Sequence, residues 1–210
     1  MKKALIFDLD GTLWDSSESV CASWNIVFRR YPEISRVLTP ADTRSYMGKT
    51  LDQIFPLALP DAPDELRKKV LRECVTYELE YIAHHGGRLY PKLRETLETL
   101  KKTYTLIIVS NCQDGYIQCF LDFAGMRDIF DDFESAGATG LSKGENIKLV
   151  VQRNNIDKAV YIGDTQGDLD SADFAGVTFI RAAYGFGQMN RPVPEIREFC
   201  ELPEKAAEML

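Results

Sequence analysis

The chain has 210 residues, 45% hydrophobic and 27% charged, which is ordinary usage for a folded protein. At this length roughly 70% of the unfolded surface can be buried, enough for one large domain or a core with an inserted one. The net charge of −7 excludes a non-specific nucleic-acid binder, which needs a basic face.

At the N-terminus, Lys2-Lys3 precede Ala4-Leu5-Ile6-Phe7, but Asp8 interrupts the apolar stretch. A secretory signal needs about 7–15 apolar residues, so none is expected. Ala4 to Leu9 instead fits a buried parallel strand whose far end carries acids and Gly11. Ser16 to about Arg30 is predicted helical, with Val20, Trp24, Val27 and Phe28 on one stripe. A series of prolines with helical patterns between them follows. One long helix is expected from Pro63 to about Ala83, carrying Leu66, Val70, Cys74, Tyr77 and Tyr81.

After Gly86-Gly87 the pattern becomes alternating. Helices are expected over Pro91–Lys102, Asp114–Gly125, Lys143–Asn154 and Leu169–Ala175. Strands are expected over Thr105–Val109, Ala159–Ile162 and Val177–Ile180, with Phe130–Phe133 a short hydrophobic segment. Such alternation implies an α/β fold, a Rossmann-like parallel sheet with helices on both faces. The helical stretch interrupts it as an inserted all-helical cap domain. The expected division is a core of residues 1–14 and 89–210 and a cap of residues 15–88, hinged at Asp15-Ser16 and Gly86-Gly87.

Five cysteines, Cys21, Cys74, Cys112, Cys119 and Cys200, are odd in number and nowhere spaced C-x-x-C, which fits reduced thiols. No run nears the ~18 apolar residues of a membrane span. A soluble cytoplasmic protein, monomeric or weakly dimeric, is expected, with no nucleic-acid or membrane partner.

Four polar signals stand where apolar strands end, and in an open parallel sheet ligands bind outside those carboxyl ends. Asp8-Leu9-Asp10-Gly11-Thr12 places two carboxylates two residues apart, able to divide nucleophilic attack and proton transfer. Ser110-Asn111 offers a hydroxyl and adjacent backbone N–H groups for a phosphoryl oxygen. Lys143 begins a helix, where a cation opposes the macrodipole and suits an anion gathered there. Gly163-Asp164-Thr165-Gln166-Gly167-Asp168 supplies hard oxygen ligands of the kind Mg²⁺ prefers. Asp164 is the better ligand candidate; Asp168 is expected to orient Lys143 or a metal-bound water.

In this order, the four pieces resemble the haloacid dehalogenase-like (HAD) superfamily of phosphatases. The resemblance spans nearly the whole chain and is strongest at D-L-D-G-T and G-D-T-Q-G-D. It implies Asp8 as nucleophile and Asp10 as general acid/base, phosphate binding by Ser110 and Lys143, beside Asn111, and Mg²⁺ held by Asp8, Asp164 and the Asp10 carbonyl. The helical insert resembles the cap of the phosphoglycolate phosphatase and β-phosphoglucomutase branch. Many relatives continue the lysine as K-P-x-P; here Gly144-Glu145-Asn146 follow, and a less rigidly set helix start is expected.

The expected function is therefore Mg²⁺-dependent hydrolysis of a small phosphorylated metabolite through an aspartyl-phosphate. The alternatives are a sugar phosphomutase of the β-phosphoglucomutase type and a non-catalytic binding module on the same fold. Substrate choice is assigned to the cap. There, Arg44-Ser45-Tyr46-Met47-Gly48-Lys49-Thr50 offers Arg44, Gly48 and Lys49 to the substrate. His84-His85 fall at the cap's exit hinge, and Tyr184-Gly185-Phe186-Gly187 is expected as a loop bordering the site.

Overall fold

A computed structural model describes all residues, 1–210. Strand β1 (Lys3–Phe7) leads through the two-residue β2 (Trp14–Asp15) into four helices. These are α1 (Ser17–Phe28), α2 (Pro40–Tyr46), α3 (Leu51–Ala58) and α4 (Asp64–His85). The two-residue β3 (Arg88–Leu89) pairs antiparallel with β2, Asp15 opposite Arg88 and Trp14 opposite Leu89. Asp15 of one expected hinge thus pairs just beyond the other, Gly86-Gly87, which closes the base of the helical stretch.

The remaining elements are α5 (Leu93–Lys101), β4 (Thr105–Ser110), α6 (Tyr116–Phe123), β5 (Asp132–Ser135), α7 (Ala136–Thr139) and α8 (Lys143–Arg153). They continue with β6 (Lys158–Gly163), α9 (Gln166–Ala175), β7 (Thr178–Ala182), β8 (Glu195–Ile196) and α10 (Leu202–Met209). The main sheet has six strands in the order β5-β4-β1-β6-β7-β8, every pairing parallel. This is the predicted Rossmann-like α/β fold, with two strands more than the sequence suggested. Both extra strands, β5 and β8, lie at sheet edges, where Asp132-Phe133-Glu134-Ser135 and Glu195-Ile196 form no buried apolar run. Only β5 overlaps the Phe130–Phe133 segment.

Period-2 alternation along β1 sorts its side chains between two cores. Leu5 and Phe7 join the larger cluster, which runs on into the helical insert; Ala4 and Ile6 join a smaller cluster with Ile147, Val150, Leu169 and Ala172 of α8 and α9. Helix α4 packs on α1 and α6, and its Val70, Cys74 and Ile82 are fully buried. Burying a Val or Ile side chain contributes roughly 1.5–3 kcal/mol, so this stripe is what holds the long helix down. All five cysteines are unpaired. No helix is long and apolar enough to cross a membrane.

Candidate active site

The site forms at the carboxyl ends of the central strands. Asp8 follows β1 directly, Ser110 is the last residue of β4, Asp164 follows β6, and Lys143 is the first residue of α8. All four are buried, Asp8 exposing 1% of its surface and Lys143 3%. Lys143 Nζ donates to Asp8 Oδ1 at 2.9 Å and to Asp168 Oδ1 at 2.6 Å. Burial alone would lower the Lys143 pKa, but the Asp168 and Asp8 carboxylates outweigh it and hold the ammonium charged.

Helix α8 keeps its start without the proline. Ser142 is its N-cap, accepting from Glu145 N, while the Glu145 carboxylate accepts from Ser142 N at 2.8 Å. This reciprocal capping box sets the first turn, and with it the lysine, so the expectation of a loosely set start is overturned. A second capping box, between Thr165 and Asp168, does the same for α9.

Asp168 spends both oxygens inside the protein. Oδ1 accepts from Lys143, and Oδ2 accepts from Asp164 N, Thr165 N and Thr165 Oγ1. Asp164 differs. Its Oδ2 accepts from Phe186 N at 2.7 Å, but its Oδ1 is buried without a hydrogen-bond partner. Ligand oxygens of Asp8, Asp164 and Asp168 lie within 4.8 Å of one another. Such a gathering suits a divalent cation, and the orphaned Asp164 oxygen is the atom whose desolvation a cation would offset. Burial, then the Asp168 and Asp8 charges, push the Asp164 pKa well up.

Glycines let this cluster close. A Cβ on Gly11, whose φ is +85°, would collide with the Asp164 carboxylate, and so would one on Gly185. Gly185 belongs to the loop after β7, which therefore borders the site as expected.

Asp10 sits apart from the lysine. Its Oδ1 accepts from Ser16 Oγ and from Tyr116 Oη at 3.1 Å, and Tyr116 Oη also lies 2.9 Å from Ser16 Oγ. Burial raises Asp10 to about 6, against the pull of these hydrogen bonds. Asp8 is raised to about 7 by burial, reinforced by Asp168 and opposed by Lys143. Tyr116 is pushed well above its ordinary value by burial and the Asp10 charge, so it stays a neutral donor.

A cavity of about 60 Å³ lies over Asp8 and Asp10, bounded also by Ser110, Asn111, Gly48, Lys49 and Glu78. It has room for only a few waters and is far below the roughly 300–1,000 Å³ of drug-sized ligand pockets. The Asn111 side chain donates to the Gly48 carbonyl at 2.8 Å, joining β4 to the insert. Lys49 borders the cavity, but its Nζ donates to the Ser45 carbonyl at 2.7 Å. Arg44 does not border it. Its guanidinium meets Asp15 and Ser17, beside an outer hollow of about 550 Å³ shared with Arg88, Tyr90 and Tyr184. Each histidine of His84-His85 bonds a carbonyl of its own helix, at 2.9 Å.

Sequence reasoning missed Ser16, Tyr116, Glu78 and Gln113. Glu78 left one trace: it occupies the buried Val70-Cys74-Ile82 row of α4, where an acid is out of place. Tyr116 left none, because its partner lies 106 residues away.

Residues 5–182 match the family described as haloacid dehalogenase-like hydrolase. The chain belongs to this family. A phosphoglycolate phosphatase of Vibrio vulnificus is 28% identical over 198 residues, covering 88% of this chain and 85% of that protein. A phosphoglycolate phosphatase of Aquifex aeolicus is 24% identical, covering 92% and 90%. Among solved structures, a predicted phosphoglycolate phosphatase from Haemophilus somnus superposes with a TM-score of 0.83 at 22% identity, covering 98% of each chain. At that identity the likeness carries the HAD fold.

Proposed function

We propose that this HAD hydrolase is a Mg²⁺-dependent, cytoplasmic phosphatase, hydrolysing a small phosphorylated metabolite through an aspartyl-phosphate on Asp8. The enzyme is a phosphoric monoester hydrolase. One observation carries the reading: two buried carboxylates two residues apart have different partners, Asp8 a lysine and Asp10 two hydroxyls. Environments that separate paired acids assign them different roles.

In this reading the phosphoryl group lies between Ser110, the Asn111 backbone and Lys143, whose charge offsets that of the phosphoryl oxygens. Asp8 attacks phosphorus while Asp10 gives its proton to the leaving alkoxide oxygen, and the alcohol departs. Asp10 then takes a proton from water as that water attacks the aspartyl-phosphate, releasing phosphate and freeing Asp8. Mg²⁺, held by Asp8, Asp164 and the Asp10 backbone carbonyl, would neutralise charge on the transferring group. Asp168 positions Lys143 through their 2.6 Å contact. Residues 15–88 serve as the cap over a core of residues 1–14 and 89–210; the cap excludes water and chooses the substrate.

The test is p-nitrophenyl phosphate turnover with Mg²⁺ and with excess EDTA, for the wild type, Asp8→Asn and Asp10→Asn. Expected are loss with EDTA, loss in Asp8→Asn, and a phosphate mass on the Asp8 peptide in Asp10→Asn. Asp10→Asn should slow turnover ~10²–10⁴-fold on substrates with poor leaving groups. Full activity in EDTA, or a folded Asp8→Asn that turns over normally, refutes it.

A further inference from the structure

The helical insert lines the cavity with the apolar Val20 and Trp24 of α1 and Ile54 of α3, with the polar Thr43, Tyr46 and Lys49, and with Glu78 of α4. Glu78 is the one acid the insert contributes, and it exposes only 3% of its surface. Glu78 Oε2 accepts from Trp24 Nε1, and its Oε1 accepts from Gln113 Nε2 at 2.8 Å. An indole N–H can only donate, so this cradle supplies protons to Glu78 and suits a carboxylate. A carboxylate has about four acceptor sites, and two donors leave capacity for a third group. Burying an acid is costly, and a neutral side chain would join α1, α4 and the Gln113 loop with a smaller penalty. Lys49, the one cation of the insert bordering the cavity, donates to the Ser45 carbonyl at 2.7 Å and is exposed, so water screens its charge more than that of the buried Glu78.

We propose that Glu78 selects the leaving group, favouring phosphomonoesters whose alcohol part carries a hydroxyl or ammonium donor and no second anion. The inference rests on the phosphatase reading above. A substrate with its phosphoryl group on Asp8 occupies the cavity that Glu78 also lines. A donor there meets an acceptor already oriented by Trp24 and Gln113. An ammonium also meets the electron-rich indole of Trp24. A carboxylate or second phosphate meets the like charge of a buried carboxylate, where repulsion is less screened than in open solvent. Phosphoglycolate, the compound in the relatives' names, carries such a second anion. This chain therefore discriminates against it.

The test compares kcat/KM, with Mg²⁺ present, for glycerol phosphate, phosphoethanolamine and phosphoglycolate. Turnover of p-nitrophenyl phosphate checks phosphatase activity itself. The wild type should favour the two donor-bearing esters over phosphoglycolate by about tenfold or more, and Glu78→Gln should shrink that ratio about tenfold. The ratio is the readout because a loosened fold lowers all substrates together. Wild-type enzyme that takes phosphoglycolate as readily as the donor-bearing esters overturns the proposal with no variant needed. An unchanged ratio in folded Glu78→Gln does so as well, while turnover of p-nitrophenyl phosphate leaves the phosphatase reading standing. Wild type inactive on all four esters overturns that reading and this proposal with it.

Discussion

Tyr116 Oη donates to Asp10 Oδ1 across 3.1 Å, from a helix that begins 106 residues further along the chain. A hydrogen bond to the charged form of an acid lowers its pKa, so Tyr116 restrains the rise to about 6 that burial causes in Asp10. Tyr116→Phe keeps the ring packed against Trp14 and removes only the donor. The limb of the kcat–pH profile governed by Asp10 should move upward by about one unit. A profile that stays in place shows that the tyrosine does not act on Asp10.

Lys143 is the one cation between two buried carboxylates. Lys143→Met leaves Asp8 and Asp168 facing each other without it, and removing one partner of a buried pair costs about 3–5 kcal/mol. Denaturant unfolding should show that loss together with a collapse of activity. A variant as stable as the wild type would mean that the pair contributes nothing net to the fold.

The unpartnered oxygen of Asp164 predicts a metal response that needs no turnover. Adding Mg²⁺ should raise the melting temperature, since a ligand bound only by the native state stabilises it. In Asp164→Asn the Phe186 N–H keeps an oxygen to bond, but the charge is gone, and the Mg²⁺ shift should vanish. An equal shift in both proteins places the ion elsewhere.

Glu78 gives a pH dependence of stability. Burial raises it from 4.5 to about 7, against the hydrogen bonds from Gln113 and Trp24. An acid with a raised folded pKa binds its proton more tightly in the native state, so stability falls as pH rises from 4.5 to about 7. Its share is on the order of a few kcal/mol at most. Asp8 and Asp10 add slope in the same window, so the reading is a difference: Glu78→Gln should lose stability with pH less steeply than wild type. Parallel curves would contradict the buried charge.

The central sheet was legible because β1, β4 and β6 are short apolar runs ending in polar groups, a pattern set by burial on both faces. The edge strands β5 and β8 were not, because an edge needs no apolar run; the short hydrophobic segment Phe130–Phe133 only overlaps the start of β5 (Asp132–Ser135). The residues gathered at the strand ends could be named from sequence since topology alone brings them together. Their supporting partners could not. Ser16 and Gln113 carry no pattern of their own, and Arg44, which falls in the last turn of α2, is drawn to Asp15 by a contact that only the folded chain creates.

The chamber over Asp8 is too small for most metabolites to enter as it stands. The Asn111–Gly48 and Gln113–Glu78 bonds tie the loop after β4 to the helical insert that lines this cavity. An airlock of this kind is expected to part for substrate and product. A kcat that falls as solvent viscosity rises would show that this parting, rather than bond making at phosphorus, sets the tempo.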